Sequence, residues 1–89
     1  MISRQILIHG RVQGVFFRQS TQKKALELNV SGLVRNLNDG SVEVIAEGSV
    51  EDIDLLTEWC HKGPIRARVD KVDIHECPLK NYTGFIISY

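Results

Sequence analysis

Apolar positions along the chain change period several times, and each change marks an element. Gln5–His9 carries Ile6, Leu7 and Ile8, apolar on both parities and followed by Gly10, which predicts a first strand central in a sheet. After a loop over Gly10–Phe16, Phe17, Thr21, Ala25 and Leu28 recur at helical spacing, so a first helix is expected over Arg18–Leu28, ended near Asn29 and Gly32. Gly32–Leu37 reads as a second strand, and Asn38-Asp39-Gly40 is a hairpin turn signal. In the third strand, Val42–Glu47, Val42, Val44 and Ala46 should face the core and Glu43 and Glu47 water. Ser49 is placed to cap a second helix with Glu51 and Asp52 in its first turn. Ile53, Leu56 and Cys60 form its apolar stripe, and His61-Lys62-Gly63-Pro64 stops it. Arg68–Glu76 is strand-like, but its apolar parity switches between Val69 and Val72, as one bulged residue would cause. Pro78–Thr83 reads as a loop and Gly84–Tyr89 as a last strand.

The order is β-α-β-β-α-β with a terminal strand added. Two helices on one face of an antiparallel sheet satisfy that order, an α+β sandwich of ferredoxin-like type. The first and third strands would form its central pair, with the second beside the third. Eighty-nine residues at 43% apolar and 25% charged fit one soluble domain over residues 1–89, with a small core and little room for a second functional module.

Charge refines the picture through its distribution. Eleven basic residues balance eleven acids, so nonspecific nucleic-acid binding has no support from the total. Residues 1–35 hold Arg4, Arg11, Arg18, Lys23, Lys24 and Arg35 against Glu27 alone, while residues 36–59 hold seven acids and no base. Either the surface is polarised, with an end that draws small anions, or the charges solvate separate faces. Cys60 and Cys77 lack metal or redox spacing, and His9, His61 and His75 lie far apart. No metal site is expected. Met1–Gly10 is too short for a signal peptide or a membrane span, so a reduced, cytoplasmic protein with no disulfide is expected.

The candidate chemistry lies in Gly10-Arg11-Val12-Gln13-Gly14-Val15-Phe16-Phe17-Arg18. A strand, a glycine-bearing turn and a helix start gather backbone N–H groups at the positive end of a helix dipole, which suits an oxyanion. Arg18 adds a planar fork matched to two phosphate oxygens. The same stretch is compatible with a plain turn and a solvated arginine. It matches neither the Walker loop nor the dinucleotide fingerprint. Phe16 and Phe17 fit either ring stacking on a ligand or the core, with the core expected for at least one.

Those nine residues resemble the acylphosphatase signature G-x-V-Q-G-V-x-F-R. Gly32-Leu33-Val34-Arg35-Asn36 with Asp39-Gly40-Ser41-Val42 is similar to that family's second signature, G-x-V-x-N-x-x-D-G-x-V. The resemblance covers essentially the whole chain, with Gly63-Pro64 and Val69 also fitting. It implies hydrolysis of the carboxyl–phosphate bond of acyl phosphates without metal or cofactor. It also implies Arg18 and Asn36 as catalytic residues and Arg11, Val12, Gln13, Gly14, Val15 and Phe16 as the phosphate-binding loop. Inorganic phosphate would be product and inhibitor, and neither nucleic acid nor membrane would be a partner. Monomer is the expected state.

Rival readings remain at this point. Ferredoxin-like sheets also bind RNA through strand aromatics, but the first and third strands here have none. A sensor that kept the loop without turnover is compatible with the fold, whereas a metallochaperone would need paired cysteines. Asp39 could act as a base, yet Asp-Gly at a hairpin tip is explained as a turn. The Tyr89 carboxylate could meet a cationic site residue, although a frayed terminus is the simpler expectation.

Overall fold

The computed structural model describes residues 1–89. Its elements are β1 (Ile2–Arg11), α1 (Phe17–Glu27), β2 (Ser31–Asn36), β3 (Val42–Gly48), α2 (Val50–Lys62), β4 (Arg68–Cys77) and β5 (Phe85–Ile87). They build one sheet in the order β4-β1-β3-β2-β5. β1 and β3 are the central pair, and β1–β4, β1–β3 and β2–β3 are antiparallel as expected for the ferredoxin-like sandwich. The added strand β5 runs parallel to β2, so the sheet is mixed.

β1 extends beyond the apolar run that announced it, because its polar residues find partners in neighbouring elements. Ser3 Oγ meets Cys77 Sγ at 3.3 Å, and Arg4 reaches Asp54, Thr57 and Glu76. The bulge lies in β4: pairing steps from His9↔Lys71 to Gly10↔Val69, which leaves Asp70 as the extra residue. α2 is capped as its sequence indicated, with Ser49 Oγ accepting from Asp52 N at 3.2 Å. Gly63 ends it at φ 68°, its N–H donating to Trp59 O at 2.8 Å.

One face of the sheet carries Ile6, Ile8, Val34, Val42, Val44 and Ala46, packed with Phe17 and Ala25 of α1 and Ile53, Leu56 and Cys60 of α2. The opposite face departs from expectation. Glu43 and Glu47, predicted to lie in water, are 6% and 2% exposed. The strand order explains this. β4 and β5 are opposite edges of the sheet, so residues 78–84 must cross it from side to side, on the face away from the helices. That segment docks on Glu47, whose carboxylate accepts from Lys80 N at 2.6 Å and Tyr82 N at 3.0 Å. Glu43 is held between Arg35 and Gln5, each at 2.6 Å. No buried side-chain polar atom lacks a partner, so the carboxylates are buried without leaving an unmet charge.

Candidate active site

β1 and β2 are both antiparallel to β3 and therefore parallel to each other. Their C-terminal ends lie at the same end of the sheet, which brings the loop after β1 beside Asn36, the last residue of β2. The loop is anchored from beneath by Val12 and Val15, 1% and 6% exposed. Between them Gly14 turns at φ 75°, with open space where a side chain would project. Phe16 follows at φ 64°, and α1 then begins without a side-chain cap. None of the backbone N–H groups from Val12 to Gln19 donates within the protein, the first bond of this stretch being Ser20 N to Phe16 O at 3.1 Å. The orphan donors of the helix start and those of the loop therefore form one continuous set.

The turn after Asn36 is held to this loop by a side chain. Gln13 Nε2 donates to Leu37 O at 2.8 Å and to Ser41 O at 2.9 Å, clasping both ends of the hairpin. Asp39 accepts from Ser41 N at 2.9 Å and from Ser41 Oγ at 2.5 Å. These two bonds, the hydroxyl first, hold the Asp39 carboxyl below the ordinary carboxylate range. Its oxygen is committed to the turn, as the hairpin reading required.

Arg18 and Asn36 meet in one cavity of about 170 Å³, lined also by Val12, Gly14, Phe16, Phe17 and Gln19. Of the loop residues singled out from the sequence, Val12, Gly14 and Phe16 line this space. Arg11 ends β1 opposite Arg68, Gln13 faces the hairpin and the Val15 side chain lies in the core. A larger cavity, about 420 Å³, opens beside Gln5, Leu33, Arg35, Glu43 and Tyr82 on the other face and contains none of these residues. No three His, Cys, Asp or Glu side chains gather to hold a metal. Both cysteines are free, and burial pushes the Cys60 thiol up to about 12.

The acylphosphatase family model matches residues 4–87 of the chain. The chain belongs to the acylphosphatase family. An acylphosphatase of Marinobacter nauticus is 51% identical over 81 residues, covering 90% of this chain and 88% of the relative. The crystal structure of an acylphosphatase from Bacillus subtilis superposes with a TM-score of 0.97 at 33% identity over 100% of both chains. An acylphosphatase structure from Coxiella burnetii gives 0.94 at 41% identity, covering 98% of this chain and 92% of that one.

In this acylphosphatase chain, two contributors escaped sequence reasoning. Gln19 lines the cavity from the first turn of α1, and its place immediately after Arg18 at a helix start was the available signal. The clasp by the Gln13 side chain had no local signal, because its partners lie in another hairpin. Tyr89, considered from the sequence as a carboxylate partner for a cationic site residue or a frayed end, meets Arg18 through its ring, with the guanidinium carbon 5.0 Å from the ring centroid. The end of the chain is tied by Ser88 N donating to Val34 O at 2.8 Å.

Proposed function

We propose that the Arg18–Asn36 cavity hydrolyses the carboxyl–phosphate bond of acyl phosphates, releasing a carboxylate and inorganic phosphate. The observation that carries it is the convergence of Arg18, Asn36 and the undonated N–H groups of the loop on one 170 Å³ space. A phosphoryl group there would have its oxygens held by the loop N–H groups and by the Arg18 fork. Those donors serve the transition state most, when charge spreads over the equatorial oxygens. Asn36 would accept a hydrogen bond from a water and direct its oxygen at phosphorus, opposite the carboxylate oxygen that leaves. The P–O bond to water forms as the P–O bond to the acyl group breaks, with no covalent enzyme intermediate. The carboxylate is a weakly basic leaving group and departs without an acid. With Asp39 committed to its turn, the water proton passes to a phosphoryl oxygen.

In the same proposal Val12 to Phe16 contribute backbone donors, Arg11 leads into the loop from the end of β1, and the Gln13 side chain holds Asn36 in place. The enzyme would work as a single cytoplasmic domain, monomeric, on small acyl phosphates with neither metal nor cofactor. Benzoyl phosphate hydrolysis in excess EDTA is the test, run on the wild type, Arg18→Ala and Asn36→Ala. Turnover should survive EDTA. Arg18→Ala should lose both binding and turnover, and Asn36→Ala should lose kcat with little change in KM. Inorganic phosphate should compete with substrate. Near-wild-type turnover in Asn36→Ala would remove the water-directing role. Loss of turnover in EDTA, restored by a divalent ion, would remove the metal-free chemistry.

A further inference from the structure

We infer that Phe16 is the acyl-recognition residue of this site, favouring substrates with an apolar, aromatic acyl body over short acyl groups; the inference rests on the proposed hydrolysis. Two adjacent phenylalanines are treated in opposite ways. Phe17 is 2% exposed and packs edge-to-face on Trp59, centroids 5.6 Å apart, as a core residue does. Phe16 is 67% exposed, so its ring contributes little to the core. It is also held at φ 64°, the left-handed region that disfavours side chains with a Cβ. The backbone role of this position is to offer Phe16 O to Ser20 N, which glycine would fill without strain. Folding therefore gains nothing evident from a phenylalanine here. An exposed ring on a strained backbone needs another source of benefit.

The cavity supplies one. Phe16 lines it together with Arg18 and Asn36. A space of about 170 Å³ takes roughly one group of benzene size. A phosphoryl group seated on the loop donors leaves the acyl body to project past the rim, where the Phe16 ring stands. The rim carries no second exposed aromatic on the loop: Val12 and Phe17 are buried and Gly14 has no side chain. Offset or edge-on contact with an aromatic acyl group adds to simple burial. An acetyl group offers the ring almost nothing to cover.

The test compares wild type, Phe16→Gly and Phe16→Tyr by the ratio of kcat/KM for benzoyl phosphate to that for acetyl phosphate. The ratio should fall roughly three- to tenfold in Phe16→Gly and hold in Phe16→Tyr, in keeping with the usual worth of one aromatic contact. Thermal melts accompany it. Phe16→Gly should melt no lower than wild type, because strain is relieved and no core ring is lost, whereas a ring needed for structure would lower Tm. Calorimetric binding of benzylphosphonate against methylphosphonate repeats the comparison without turnover. An unchanged selectivity in Phe16→Gly, in both turnover and binding, overturns the inference, as does an equal fall in Phe16→Tyr. If wild type hydrolyses neither substrate, the proposed hydrolysis fails. The phosphonate ratio then still decides whether Phe16 selects the group behind the phosphorus.

Discussion

Glu47 is a carboxylate in a sheet face, 2% exposed, with no cation within bridging distance. Burial, the largest single influence, would raise its pKa, but the hydrogen bonds it accepts, chiefly from the N–H groups of Lys80 and Tyr82 with Ser3 and Asn81 adding to them, together outweigh burial and hold it below the ordinary carboxylate range. A carboxyl that titrates lower in the native than in the unfolded chain stabilises fully above the unfolded value, about 4.3. That stabilisation fades as pH falls through the native value. Glu47→Gln keeps the shape, removes the charge and turns one acceptor into a donor facing an N–H. A loss of about 1–3 kcal/mol at pH 7 is expected, read as a lower urea midpoint. The gap between the two proteins should narrow as pH drops below about 4. A gap that stays constant into acid would mean that the charge contributes nothing to docking the 78–84 segment.

The two glycines of the loop motif serve different elements. Gly10, at φ 133°, lies in β1 where a Cβ would collide with the backbone carbonyl of Arg68 at the bulge of β4. Gly14, at φ 75°, has nothing within 4 Å of its would-be Cβ, so only its backbone conformation calls for glycine. Gly10→Ala should therefore cost roughly 3 kcal/mol, as forced overpacking does, and Gly14→Ala about 1 kcal/mol. Thermal melts of the two variants measure the difference, and equal losses would contradict the close approach. The same distinction separates what the sequence disclosed from what it did not. The Asp39-Gly40 turn, the Ser49 cap and the β4 bulge were legible because turn chemistry, capping and parity act over a few residues. The burial of Glu43 and Glu47 was not, because it follows from residues 78–84 crossing from one sheet edge to the other. Arg18 and Asn36 could be paired from the motifs, but the Gln13 clasp on Leu37 and Ser41 needed the folded hairpin. Gln5–His9 predicted too short a β1, since Ser3 and Arg4 are kept in the strand by partners on β4 and α2.

On the whole molecule, the lopsided charge of the sequence is only partly cancelled by folding. Arg4 pairs with Asp54 and Arg35 with Glu43, which uses two acids of residues 36–59, and Arg4 also pairs with Glu76 of β4. Glu51 and Asp52 sit in the first turn of α2, where they complement the helix dipole. The remaining pairs join Arg68 to Asp70, and His9 and Lys71 to Asp73. Arg11, Arg18, Lys23 and Lys24 enter none of these pairs. They belong to the loop end of β1 and to α1, whose N-terminus adds its own positive potential. Arg18 lines the cavity, and together with the other unpaired cations of this loop and helix it should draw a doubly charged acyl phosphate from beyond contact distance. Such attraction is screened within about 10 Å at 0.1 M salt. Raising sodium chloride from about 10 to about 200 mM should therefore lower kcat/KM for acyl phosphates several-fold, chiefly through KM. Lys23→Gln, distant from the reacting atoms, should flatten that salt dependence while leaving the high-salt kcat near wild type. A wild-type profile already flat in salt would mean that these cations are solvated singly, and that Arg18 and the loop donors recognise the phosphoryl group only at contact.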